Sequence, residues 1–165
     1  MQLTQHFAKE EFELEGAMPD ECVPIFGSLC KYVLEPIREH CGVSLFITSG
    51  YRSPAGNIAA GGAVHSQHIA TASSCAADFK VSGLSDLRSV FDWIRLKSGL
   101  PIDELILEHV AHKDPISGEV VQMGHDIIHA SYVAENPRRL AKEGASNNLT
   151  PYQTLTFNGP DEVEW

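Results

Sequence analysis

The stretch Gly124-His125-Asp126-Ile127-Ile128-His129-Ala130-Ser131-Tyr132-Val133 admits two foldings, and the choice between them decides the architecture. As a helix it would set His125 and His129 one turn apart, with Cβ atoms about 5–6 Å apart, close enough to share a metal. As a strand it would hold them roughly 13 Å apart. That is too far for two ligands that each reach a zinc ion at about 2.1 Å. Ile127, Ile128, Tyr132 and Val133 are β-branched or aromatic, and Gly124 is a poor start for a helix interior. The segment reads as a strand, which keeps His129 as a candidate ligand and demotes His125.

Upstream, Val43 to Thr48, Ala76 to Val81 and Leu105 to Glu108 are further strand candidates. Asp20 precedes a long amphipathic helix whose apolar positions, Cys22, Phe26, Leu29, Cys30, Val33 and Ile37, are spaced by three and four. It stops near Cys41-Gly42, and Pro36 should kink or shorten it. The opening segment, with Phe7, Phe12 and Leu14, reads as a packing arm or short helix. A small-residue stretch from Asn57 to Ala63 can hold one short helix. Ser85 can cap another, with Leu87, Val90, Phe91 and Ile94 on its apolar face. Helices first, then strands with long connections, predict an α+β fold: a small mixed or antiparallel sheet with flanking helices.

After Ala134 the pattern weakens. Arg138, Arg139 and Lys142 could share a short helix, and Gly144 to Trp165 is polar and patternless. The expected division is one domain over residues 1–143 and a polar tail or strap over 144–165. Asn148-Leu149-Thr150 matches a glycosylation sequon by pattern alone.

With 165 residues and 43% hydrophobic content, the chain can bury one real core. Its formal net charge of −10 opposes a nucleic-acid partner, which calls for clustered Lys and Arg. The same charge disfavours docking on an anionic membrane or wall polymer, and no apolar run approaches the ~20 residues of a membrane span. Met1 to Phe7 lacks the basic and apolar regions of a signal peptide, so cytoplasmic synthesis is expected. Cys22, Cys30, Cys41 and Cys75 form no CxxC pair and read as reduced, structural residues.

Three polar residues stand out in these surroundings: His68 in Ser66-Gln67-His68, Asp78 in Ala76-Ala77-Asp78-Phe79, and His129 between Ile128 and Ala130. A carboxylate inside an apolar strand is costly unless a cation meets it. Two imidazoles and one carboxylate suit zinc, and three protein ligands leave the open position of a catalytic site. Ser49-Gly50-Tyr51-Arg52-Ser53 is a turn that would present a guanidinium able to grip a carboxylate. The set points to a hydrolase acting near an anionic end of a small peptide.

With Ile47-Thr48-Ser49-Gly50-Tyr51-Arg52-Ser53-Pro54, Gly61-Gly62, Ser66-Gln67-His68 and Asp103 to Glu108, the chain resembles the zinc D-Ala-D-Ala metallopeptidases of the LAS group. That group includes D,D-carboxypeptidases, D,D-dipeptidases and phage L-alanyl-D-glutamate endolysins, and shares its core fold with the hedgehog signalling domain. The resemblance runs from Leu3 to about Tyr132. It implies His68, Asp78 and His129 as zinc ligands and Arg52 as the group that holds the substrate carboxylate or polarises the scissile carbonyl. It also implies Ser66 and Tyr51 at the substrate site, and a general base three residues before the last His.

The base in that family is Glu; here the position is Asp126, one methylene (about 1.5 Å) shorter. A misplacement of ~1 Å can cost ~100-fold in rate. Either the backbone moves closer, Glu108 substitutes, or catalysis is weak. Nine residues, Ile69 to Ala77, separate His68 from Asp78 where the family usually has six. The expected function is hydrolysis of peptidoglycan stem peptides by a monomeric zinc carboxypeptidase or endopeptidase. The expected setting is a phage or prophage lysis enzyme acting at the cell wall after release, or a virion component. The competing expectation is a non-catalytic, zinc-stabilised binding or structural module of the same fold.

Overall fold

A computed structural model describes residues 1–146 and 149–157. Six strands form one sheet: β1 (Leu45–Ser49), β2 (Ser74–Val81), β3 (Glu104–Lys113), β4 (Val120–Val133), β5 (Leu140–Ala145) and β6 (Gln153–Leu155). Their spatial order is β1-β2-β4-β3-β5-β6. All neighbours are antiparallel except β3 and β5, which run parallel. The segment 124–133 is strand throughout, within β4.

Alternation along these strands gives the sheet a core face and a second face. Cys75, Ala77, Phe79 and Val81 of β2, with Ile128 and Ala130 of β4, point to the core. Against that face packs the long helical stretch α1 (Val23–Leu29) and α2 (Glu35–Cys41), through Phe26, Leu29, Cys30, Val33 and Ile37. The Cys75 thiol donates to the Ile25 carbonyl at 3.5 Å, tying β2 to α1. Between α1 and α2 lies a π-helical turn over Cys30–Leu34. Pro36 has no N–H and its ring crowds the preceding carbonyls, so a widened turn just before it lets the helix continue rather than end. The four cysteines are free, and three are buried.

Two shorter helices complete the set, α3 (Pro54–Ala59) and α4 (Arg88–Leu96). Ser85 does not cap α4. Its carbonyl accepts the Asp126 N–H at 2.8 Å, and the Asp126 carboxylate accepts the Leu87 N–H at 2.9 Å.

The C-terminal region differs most from expectation. Lys142 lies in β5, where a short helix was the expectation; Gly144 and Ala145 finish that strand and Gln153–Leu155 adds another. Small residues at 141, 144 and 145 let β5 pack closely, and its stability comes from β3 rather than from β propensity. Asn148 of the sequon and residues 158–165 of the expected tail lie outside the described residues. Among the described residues, no helix is long and apolar enough to cross a membrane.

Candidate active site

Asp78 and His129 are direct cross-strand partners in β2 and β4, so their side chains stand side by side on the second face. His68 reaches them from the loop after α3, held where its carbonyl accepts the Arg52 N–H at 2.8 Å. His129 Nδ1 lies 2.7 Å and His68 Nε2 3.2 Å from Asp78 Oδ1. One ligating atom from each of the three residues lies within 4.8 Å of the others, a grouping found nowhere else among the described residues. Donors about 2.1 Å from a tetrahedral zinc lie about 3.4 Å from one another, so the spacing fits.

The tautomer fits as well. His68 Nδ1 donates to the Gly50 carbonyl at 2.7 Å, which leaves Nε2, the nitrogen facing Asp78, as the atom that would hold a metal. Burial pushes the Asp78 carboxyl up, but the charge of His68 and the hydrogen bonds from His129 and His68 overrule it. The group is held far below the usual carboxylate range. A carboxylate kept anionic between two imidazoles is the donor set a divalent zinc takes.

Arg52 borders this trio. Its Nε donates to Glu15 at 2.6 Å and one terminal nitrogen to Ser49 Oγ at 2.9 Å; that nitrogen is also 3.8 Å from Asp78. Ser49 donates in turn to Glu15 at 2.8 Å. The edge expected to grip a substrate carboxylate is thus taken by Glu15, and the other terminal nitrogen remains for a ligand. Glu15 was not signalled by the sequence, because it sits in an acidic stretch before the first long helix. Ser66 lines a cavity together with Arg52 and the trio, and its Oγ accepts the His68 N–H at 3.3 Å. Tyr51 does not join it. Its ring is buried with the core, including Cys22 and Phe26.

Asp126 is also placed elsewhere. Three residues from His129 is an odd number of steps, so on a strand the two side chains leave opposite faces. The Asp126 carboxylate is occupied at the start of α4 and by His109 Nδ1 at 2.7 Å. Glu108, by contrast, pairs with Ile127 and therefore shares the face of His129. It lines a cavity of about 230 Å³ together with Arg52, His68, Asp78, His129 and Tyr152. Its Oε2 accepts from the Tyr152 hydroxyl at 2.9 Å. Burial first, and then the charge of Asp78, push the Glu108 carboxyl above its ordinary value, although Tyr152 pulls the other way.

Cavity size does not pick out this site. A cleft of about 650 Å³ opens between Thr4, His6, Lys31, Glu35 and Arg38, away from the trio. The extra residues after His68 are absorbed in a tight turn in which the Thr71 N–H donates to the Ser74 carbonyl at 2.9 Å, so Asp78 still faces His68.

Comparison with protein families matches residues 5–112 to the family described as Peptidase M15. No curated protein and no solved structure matches the chain. The matched span carries His68, Asp78 and Glu108 but stops short of His129, which the sheet itself brings to the other two. Covering well over half of the chain and meeting a trio fit for a metal, the match places this protein in the M15 peptidases, the zinc D-Ala-D-Ala carboxypeptidase or LAS family.

Proposed function

We propose that this M15 peptidase is a zinc-dependent hydrolase of peptidoglycan stem peptides in which Glu108, not Asp126, is the general base. The observation that carries the reading is the position of Glu108 in the cavity of the His68–Asp78–His129 trio, with Asp126 turned to the other face. His68 Nε2, Asp78 and His129 Nδ1 would hold the zinc. When bound, zinc supplies a Lewis acid that polarises a carbonyl and brings the pKa of water toward ~7.

The chain's own groups do the rest. Glu108 accepts a proton from the attacking water and delivers it to the leaving nitrogen, a role suited to a carboxyl that burial raises above its ordinary value. Arg52, kept rigid by Glu15 and Ser49, offers its remaining N–H donors to a substrate carboxylate or to the developing oxyanion. Ser66 and Gly62 also line the cavity. A lysis role in a phage or prophage is the setting carried forward; it rests on the resemblance to endolysins described above. The non-catalytic alternative drew its support from Asp126 and from the longer spacing between His68 and Asp78; the first of these weakens with Glu108 in the cavity.

The test is to incubate zinc-loaded protein with purified peptidoglycan and follow newly released amines, with Glu108→Gln, Asp126→Asn and His129→Ala in parallel. Release by the parent and by Asp126→Asn, but not by the other two, is expected. Zinc retention by the parent without amine release would sink the enzyme reading.

A further inference from the structure

We propose that Tyr152, on the segment joining β5 to β6, is a positioning residue that holds one oxygen of Glu108 and leaves the other to face the cavity. The inference rests on the reading of Glu108 as general base and adds a residue that the family match, ending at 112, does not assign.

The geometry is specific. The Tyr152 hydroxyl donates to Glu108 Oε2 at 2.9 Å, while Oε1 has no hydrogen-bond partner among the described residues. In the parallel pairing of β3 with β5, Glu108 lies beside Gly144, and the Tyr152 ring lies over Gly144. A Cβ at 144 would come within 2.5 Å of Tyr152 Cδ1, so the ring can sit there because that strand residue has no side chain. Tyr152 immediately precedes β6, whose Gln153 pairs with Glu143, and this fixes where the ring starts.

A Glu side chain on a strand has several rotamers, and its carboxylate can swing by more than an ångström. Tethering one oxygen restricts that swing, and the phenol ring closes the cavity beside it. Burial and the neighbouring Glu108 charge both push the Tyr152 phenol up, so it stays a proton donor over the working range.

The experiment is Tyr152→Phe in the full, zinc-loaded chain, which keeps the ring and removes the hydroxyl. Using soluble peptidoglycan fragments and amine release, kcat should fall about tenfold with KM within about twofold. The acid limb of the kcat profile should move to higher pH, because a hydrogen bond to the charged carboxylate is lost. Zinc content and melting temperature should stay at parent values. An unchanged kcat and pH profile would overturn the proposal, as would a loss explained by lost zinc or lowered melting temperature.

Glu108→Gln is run alongside. If it retains turnover, the reading of the base fails; if it abolishes turnover while Tyr152→Phe is silent, the positioning role alone fails. A readout independent of turnover is the ring-carbon NMR signal of Tyr152 in tyrosine-labelled protein. It should shift as Glu108 titrates and lose that step in Glu108→Gln; absence of the step in the parent overturns the proposal.

Discussion

Glu108 and Asp126 show how one residue's parity on a strand decides its job. Both are acidic, both lie near His129, and they leave the sheet in opposite directions. Asp126 accepts the N–H of Leu87, the residue just before α4, near the positive end of that helix, which favours a carboxylate. Asp126→Ala should therefore cost about 2 kcal/mol of unfolding free energy, from a lost cap and a stranded donor. Amine release per folded, zinc-loaded molecule should stay within about threefold. Glu108→Gln should do the reverse, lowering kcat by about 10²–10⁴ while urea unfolding barely moves. Parallel denaturation and turnover measurements on the two variants check both statements.

At the scale of elements, two junctions hold the site in place. The turn after β1 passes against the N-terminal segment, where the Tyr51 N–H donates to the Phe12 carbonyl at 2.8 Å. A Cβ on Gly50 would lie 2.6 Å from Phe12 Cα and from its carbonyl oxygen, both backbone atoms that cannot turn aside. Gly50→Ala should destabilise the fold by about 1–3 kcal/mol, read as a lower urea midpoint, and should loosen Glu15 from Arg52. The second junction is His109, which bridges Asp126 of β4 at 2.7 Å and Glu143 of β5 at 2.8 Å, with Arg88 of α4 paired to Glu143.

Burial opposes charge on His109, but the hydrogen bonds to Glu143 and Asp126 outweigh it and raise the imidazole above its ordinary 6.5. A raised folded value means the stabilisation is present in full below about pH 6.5 and is lost as pH rises through the folded value. The melting-temperature gap between the parent and His109→Gln should be wider at pH 5.5 than at pH 9. An equal gap at both would show that the bridge does not depend on charge.

At the scale of the molecule, the trio couples strands from the middle of the sheet to the loop after α3, so metal and fold should stabilise each other. One zinc per chain is expected by elemental analysis. Free zinc at 100 times its dissociation constant would add about 2.7 kcal/mol. For a chain of this size that is about 5–10 °C in melting temperature. A chelator should remove that increment from the parent and leave Asp78→Ala unaffected.

Much of this was legible before folding. β propensity around Ile127 and Ile128 made 124–133 a strand and separated His125 from His129. The cost of a carboxylate among Ala76, Ala77 and Phe79 marked Asp78 as a residue that needs a cation. The strand reading also contained the parity that turns Asp126 away, since side-chain direction on a strand follows from counting. What counting within one strand could not supply was a partner from another. Glu108 joins His129 through the β3–β4 register, Glu15 reaches Arg52 across 37 residues of chain, and Tyr152 reaches Glu108 across 44. Strands β5 and β6 carry weak local preferences; β5 forms on the edge that β3 offers, and β6 on the edge of β5. Local patterns report what a segment prefers by itself; pairing between distant segments is settled by packing and register, and it is there that Glu108, Arg52 and their supports are brought together.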